Sequence, residues 1–185
     1  DKRMPVVVVD RDSPGVMVDS VQINNAAGGW LATSHLIELG HTHIACIAGP
    51  SDVTPSGERV DGYRRALHEA GLPILAENIV RGDFHAASGY QITKELLARD
   101  KRPTAIFACN DLMAIGALSA AKAMGFRVPE DISVVGFDDI YLAAYSNPPL
   151  TTVRQPKYEM GQLATKLLLE RIQDPDLPPR TPLLD

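Results

Sequence analysis

The middle of this chain alternates short apolar runs with longer segments of helical period. The apolar runs occupy residues 43–49 ("HIACIAG"), 78–84 ("NIVRGDF"), 104–110 ("TAIFACN") and 132–138 ("ISVVGFD"). Short apolar runs bounded by turn residues are typical of strands that are buried on both faces. Strands separated by helices form a parallel sheet with right-handed crossovers. The pattern therefore predicts an α/β fold with a doubly wound parallel sheet.

Residues at helical spacing predict helices over about 24–39, 58–71, 87–100 and 111–124, and residues 51–57 are interpreted as a flexible loop. The helix over 111–124 is apolar nearly all round, so one sheet cannot cover it alone. Either neighbouring elements of the same chain cover the remainder, or a second copy does. In the second case Ile115 and Leu118 lie at a dimer contact.

The flanks of the chain differ from this alternation. Residues 1–25 hold two short strands around a Pro-Gly turn, and residues 147–156 ("NPPLTTVRQP") form an extended segment between prolines. An amphipathic helix and a proline-rich tail follow. The ends do not resemble parts of the central sheet. We therefore predict that residues 1–26 and 154–185 belong to one partial lobe and residues 27–153 to another.

Composition and charge exclude several classes of function. A formal net charge of -5 gives no basic field that would attract nucleic acid. No apolar run approaches the ~20 residues that cross a bilayer. Cys46 and Cys109 lie within predicted strands, which favours buried free thiols in a reducing compartment over a disulfide between two strand interiors. His41 and His43 precede a strand and lack further ligands, so neither a metal nor a cofactor is expected.

Polar residues lie at the ends of three of the four predicted strands of the central sheet. In a parallel sheet all carboxyl ends lie along one edge, and ligands bind beyond that edge. The residues there are Gly49-Pro50, Asp83-Phe84, Asn110-Asp111 and Phe137-Asp138. Carboxylates, an amide and the nearby guanidinium of Arg59 can bond vicinal hydroxyls, and an aromatic face can cover a sugar ring. The set predicts a small polyhydroxylated ligand.

Several of these residues also have structural interpretations. Asn110 or, more strongly, Asp111 could cap the following helix. Asp83 could brace a loop through backbone amides, and Phe84 could be a core residue.

Arg59 and the Asp138-Asp139 pair favour a functional interpretation. Arg59 falls in a predicted first helical turn, where a cation is poorly placed for the helix dipole. Asp138 and Asp139 are adjacent carboxylates that repel each other, so at least one needs a partner or a ligand.

Five segments carry a family resemblance: "ELGHTHIACIAGP", "RVDGYRRAL", "FACNDLMAIGAL", "RVPEDISVVGFDD" and "PPLTTVRQP". Together, in this order and spacing, they resemble the effector-binding region of LacI/GalR-family transcriptional repressors over essentially the whole chain. The resemblance implies a periplasmic-binding-protein-like fold of two α/β lobes around a cleft. It also implies a nearly complete C-terminal lobe, a partial N-terminal lobe and a helix-turn-helix that is absent from this chain.

The resemblance makes Arg59, Phe84, Asn110, Asp138 and Gln155 the ligand-binding residues. It also supports the homodimer contact near Ile115 and Leu118. Val53 and Pro55 stand where purine-responsive members have polar side chains, which favours a sugar as effector.

The resemblance implies a cytoplasmic, ligand-sensing domain that binds a sugar-like effector and controls operator DNA binding allosterically. The alternative is a periplasmic sugar-binding protein of an importer. An enzyme is not expected, because the chain holds no G-x-S-x-G, G-x-x-x-x-G-K-[ST] or G-x-G-x-x-G motif.

Overall fold

The computed structural model describes residues 4–11 and 15–184. In chain order, the elements are β1 (Val7–Val9), β2 (Asp19–Ile23), α1 (Asn25–Glu38), β3 (Ile44–Ala48), α2 (Thr54–Glu69), β4 (Ile79–Arg81), α3 (Ala86–Leu97), β5 (Ala105–Ala108), α4 (Asp111–Ala123), β6 (Ser133–Asp138), β7 (Thr151–Arg154), α5 (Lys157–Gln173) and β8 (Leu183–Leu184). Short 3-10 helices cover Ala76–Asn78 and Tyr141–Tyr145.

The central sheet has five parallel strands in the order β4-β3-β5-β6-β7. This confirms the predicted parallel α/β sheet and its four strands. It corrects the interpretation of residues 147–156, because Thr151–Arg154 form a fifth strand paired with β6. The prolines on either side of this segment flank the strand without interrupting its hydrogen bonds, and an edge strand tolerates them.

The flanking strands form a second, smaller sheet. Its order is β1-β2-β8, and both pairs run parallel. β1 and β2 are therefore not a hairpin; Pro14 of the predicted turn lies outside the described residues. β8 was not predicted from the proline-rich tail. It forms because backbone N–H groups of β2 donate to carbonyls of the tail, including Arg180 and Pro182.

Two helix pairs cover the central sheet. α1 packs against α2 and α3 against α4, and the right-handed crossovers put the two pairs on opposite faces. Each pair approaches closely at glycines. A Cβ on Gly29 would lie 2.1 Å from the carbonyl oxygen of Arg59, and a Cβ on Gly116 would lie 2.0 Å from that of Ala86.

The packing of α4 explains its apolar composition within a single chain. The sheet covers one side of the helix and α3 covers another. Leu118 is 5% exposed and belongs to the core, while Ile115 is partly buried against that core. A dimer contact at these two residues stays a prediction, and only Ile115 keeps accessible surface for it.

A buried carboxylate anchors the tail to the smaller sheet. Asp19 is fully buried at the start of β2 and accepts hydrogen bonds from Arg171 of α5 and from Arg180. Burial alone raises its pKa, but the hydrogen bonds from Arg180 and Arg171 outweigh this and hold the pKa below its ordinary value.

Both cysteines are free and buried, as predicted. The sulfur atoms of Cys46 and Cys109 lie 3.9 Å apart, and burial raises the pKa of the Cys46 thiol well above its usual range. Among the described residues, no helix is long and apolar enough to cross a membrane.

Candidate ligand-binding site

A cavity of about 400 Å³ lies beyond the carboxyl edge of the central sheet. Its size falls within the ~300–1,000 Å³ range of ligand pockets. Arg59, Phe84, Asn110, Asp138 and Gln155 all line it. The structure therefore brings together the five residues that the sequence predicted, although they come from five separate parts of the chain. Val9, at the end of β1, and the following Asp10 and Arg11 also line the cavity.

Arg59 forms the floor of this cavity. It is 4% exposed, and its guanidinium lies 3.8 Å from the centre of the Phe137 ring. Nε donates to Asn25 Oδ1 at 2.8 Å, and Nη1 donates to the Cys109 carbonyl at 2.7 Å. The aromatic ring and these neutral acceptors fix the plane of the guanidinium.

The predicted position of Arg59 in its helix was wrong. α2 begins at Thr54, so Arg59 lies in the second turn and most of the supposed loop 51–57 is helical. Pro55 was interpreted as a loop residue, but proline is tolerated in a first helical turn. The helix dipole therefore does not argue for function here, whereas the near-complete burial of a cation does.

Two carboxylates approach Arg59 from different sheets. Nη2 lies 3.4 Å from Asp10 Oδ2, and Nη1 lies 3.5 Å from Asp138 Oδ1. Burial lowers the pKa of Arg59, and the two carboxylates oppose that shift. Both contacts are longer than the ~2.7–2.9 Å of a strong charge-assisted hydrogen bond. Within the described part of the chain, Nη2 has no other acceptor, so it retains donor capacity toward the cavity.

Asp138 is the most perturbed acid at the site. Burial raises its pKa to about 6, with Arg59 and Lys157 opposing and Asp111 and Asp10 adding to the rise. Its Oδ1 accepts from Gln155 Nε2 at 2.7 Å. The carboxylate therefore retains free acceptor positions and ionises within reach of neutral pH.

Asp139 turns away from Asp138 to other partners. Its carboxylate accepts from Arg154 Nε at 2.6 Å, and its backbone N–H donates to Thr152 Oγ1. Lys157 Nζ donates to the backbone carbonyls of both aspartates. The prediction that at least one of the adjacent carboxylates has a partner is confirmed.

The helix-capping prediction for Asp111 was wrong, and Asn110 is the cap. Asn110 Oδ1 accepts from the Met113 N–H at 2.9 Å, and Nδ2 donates to the Phe84 carbonyl at 2.9 Å. Asp111 is fully buried and accepts from Thr152 Oγ1 and the Ile140 N–H. Asp111 therefore ties α4 to β7 and to the turn after β6.

Phe84 and Asp83 have different roles. The Phe84 ring lies directly over Gly49, where an added Cβ would come within 2.1 Å of it. Phe84 packs against the core and also lines the cavity, so both interpretations of this residue hold. Asp83 is exposed, and its carboxylate accepts from the His85 N–H at 2.9 Å, which is the predicted loop-bracing role.

Left-handed backbone conformations cluster at this cavity. In the described ranges, the non-glycine residues with positive φ are Asp10 (48°), Phe84 (69°), Asp138 (115°) and Asp139 (53°). Three of the four line the cavity and the fourth adjoins it. Such conformations cost about 1–3 kcal/mol each and persist where surrounding contacts hold them. Their concentration here makes this cavity the candidate functional site.

Sequence reasoning missed three charged lining residues: Asp10, Arg11 and Lys157. Asp10 follows the apolar run of β1, and the strand-end rule used for the central sheet could have found it. No sequence pattern indicates Lys157 as a lining residue, because the strand that precedes it was not predicted. Residues 4–11 and 15–184 hold no group of three metal-ligating side chains.

Comparison with known proteins identifies the family. The model of the periplasmic binding protein-like domain matches residues 33–185. The chain is 49% identical over 175 residues to a protein named HTH-type transcriptional repressor PurR from Aliivibrio fischeri, covering 94% of this chain and 52% of that protein. It is 45% identical over 174 residues to the ribose operon repressor of Escherichia coli, covering 94% and 53%. The chain therefore spans about half the length of these curated relatives.

Solved structures agree with this assignment. A CelR–cellobiose complex superposes with a TM-score of 0.90 at 42% identity, over 96% of this chain and 55% of that one. A LacI-family regulator from Enterococcus faecium with bound ribose gives 0.87 at 36% identity, over 97% and 66%. Fold, sequence and neighbours concur: the chain belongs to the periplasmic binding protein-like domain family, in the form found in LacI-family transcriptional regulators.

Proposed function

We propose that this chain is the ligand-sensing domain of a transcriptional repressor and that it binds a small sugar-like effector in the cavity. The observation that carries the proposal is the convergence of Arg59, Phe84, Asn110, Asp138 and Gln155 on one cavity. The names of the repressors that resemble the chain support the regulatory role.

The chemistry of the cavity favours a polyol. Asp138 and Asp10 supply carboxylate oxygens, and Arg59 supplies donors, with Nη1 beside Asp138 and Nη2 beside Asp10. Paired hydroxyls can satisfy donor and acceptor together, while the Phe84 face covers the apolar side of a sugar ring. Pro55 lines the cavity without any polar side-chain atom, which leaves that wall unsuited to the edge of a purine base.

A ligand in this cavity would contact both sheets. Asp10 follows a strand of the smaller sheet, whereas Asp138 ends a strand of the central sheet. A ligand that bridges them would favour one relative arrangement of the two sheets, because it binds that arrangement more tightly. Through a DNA-binding segment outside these 185 residues, this shift would alter operator binding.

We propose a cytoplasmic, non-enzymatic homodimer whose residues 27–153 form one lobe and whose ends, 1–26 and 154–185, return to the other. The sheet membership of the strands supports this division to within one residue, since Arg154 is the last residue of β7 and still pairs with the central sheet. The importer alternative has less support, since the curated relatives described above are named as repressors.

A thermal-shift and calorimetric panel tests the proposal. Because a partial lobe leaves part of the cleft unformed, the 185-residue chain alone is expected to bind weakly, and the complete effector-binding domain is used. D-ribose, cellobiose and hypoxanthine are titrated into its wild type, Asp138→Ala and the control Asp61→Ala, whose carboxylate is exposed on α2. We expect a sugar to stabilise the wild type and Asp61→Ala but not Asp138→Ala. Binding of hypoxanthine alone, or an unchanged sugar response in Asp138→Ala, would overturn the assignment.

A further inference from the structure

The turn at the end of β6 has an unusual backbone. Asp138 has φ 115° and Asp139 has φ 53°, so two consecutive side-chain-bearing residues adopt positive φ values. This conformation is unfavourable for both residues, and surrounding contacts must hold it. It also directs where the Asp138 carboxylate lies, next to Gln155 at 2.7 Å and Arg59 at 3.5 Å.

A single ammonium group holds both carbonyls of this turn. Lys157 Nζ donates to the Asp138 carbonyl at 3.0 Å and to the Asp139 carbonyl at 2.7 Å. A charged donor shared by two consecutive carbonyls fixes the orientation of both peptide planes. Because the Asp138 carbonyl lies in the peptide plane between the two residues, the contact holds ψ of Asp138 and supports the positive φ of Asp139.

Helix stability does not explain the position of this lysine. Lys157 is the first residue of α5, where a cation opposes the helix dipole. α5 itself packs against β1 and β2 of the smaller sheet. The ammonium therefore links the helix that covers one sheet to the strand end of the other, at the cavity they share.

We propose that Lys157 is a positioning residue of the effector site, which holds the turn that aims the Asp138 carboxylate into the cavity. The inference rests on the proposed function, since it takes Asp138 to be a ligand-binding group. Two of the three ammonium hydrogens are used by the carbonyls, so the main role of Lys157 is exerted through Asp138.

The ligand-free test uses nuclear magnetic resonance. The side-chain carboxyl carbon of Asp138 and the side-chain amide of Gln155 are followed through a pH titration in the wild type, Lys157→Met, Lys157→Arg and Lys166→Met. Lys166 is an exposed lysine on the same helix and serves as the matched control. All variants are first checked for native circular dichroism and urea midpoints.

We expect Lys157→Met to raise the titration midpoint of Asp138 and to shift the Gln155 amide, because the carboxylate moves from its 2.7 Å partner. Lys157→Arg restores most of both signals, and Lys166→Met changes neither. A purely electrostatic role would move the Asp138 midpoint without moving the Gln155 amide. That result, or two unchanged signals in Lys157→Met, would overturn the inference.

The binding test uses D-ribose and isothermal titration calorimetry. We expect Lys157→Met to weaken binding about tenfold or more, as the loss of charged hydrogen bonds does, and Lys157→Arg to stay within about threefold of the wild type. A Lys157→Met variant with wild-type affinity would overturn the positioning role. If the wild type binds no sugar, the proposed function fails, and the resonance measurement still decides whether Lys157 positions Asp138.

Discussion

Replacing Asp138 by asparagine should stabilise the ligand-free protein while weakening its response to ligand. Asparagine resembles the protonated carboxyl in shape and still accepts from Gln155 Nε2. It removes a carboxylate that burial destabilises, since the pKa of Asp138 rises from 3.8 to about 6 in the folded protein. The other members of the site, including the Arg59 contacts to Asn25 and Cys109, remain in place.

The magnitude follows from the linkage between protonation and folding. Between pH 3.8 and about 6 the unfolded chain loses this proton first, so the stability of the folded protein falls as pH rises through that window. At about 1.36 kcal/mol for each pKa unit, the full difference corresponds to about 3 kcal/mol above the window. The Asp138 side chain is 24% exposed, and solvent screening reduces the expected gain to about 1–3 kcal/mol.

Urea unfolding measures the stability difference between the wild type and Asp138→Asn directly. The free energy of unfolding of the wild type and Asp138→Asn is compared at about pH 4 and about pH 7.5, without ligand. We expect nearly equal stabilities at the lower pH and a more stable variant at the higher one. Because only the difference between the two proteins is used, the titration of acids that do not interact with Asp138, such as Asp19, cancels. A variant less stable at the higher pH, or a difference independent of pH, would refute the reasoning.

Three further changes have defined outcomes. Asp19→Ala leaves two arginines without their buried carboxylate and should lower the free energy of unfolding by about 3–5 kcal/mol, measured by urea unfolding. Gly29→Val should lower the melting temperature because α1 and α2 cannot separate to admit the side chain, whereas Gly57→Ala, with open space around it, should not. Ile115→Lys should reduce self-association in sedimentation equilibrium without unfolding the chain; an unchanged mass would place any dimer contact elsewhere.

The inner strands β3, β5 and β6 were predictable because burial on both faces leaves a continuous apolar run. β7 was not, since it is an edge strand whose residues are only half-buried or exposed, and its flanking prolines suggested a loop. The start of α2 was misjudged for a related reason: Pro55 and Gly57 are common in loops, yet both are accommodated in the first turn of this helix.

The site was predictable where strand ends determine it. Asn110 and Asp138 follow buried strands, and the parallel sheet brings such residues to one edge. Asp111 follows the same rule by sequence, but its side chain turns inward to Thr152, which no local pattern indicates. Lys157 reaches the site from a helix over the other sheet, so only the tertiary structure reveals it.

The most direct test of the sensor assignment is a crystal structure of the complete effector-binding domain with the sugar from the panel that gives the largest thermal shift. We expect the sugar to occupy the cavity beyond the central sheet, with hydroxyl groups within hydrogen-bonding distance of Asp138 and Arg59 and one ring face on Phe84. A sugar bound at another surface, with this cavity unchanged, would contradict the assignment.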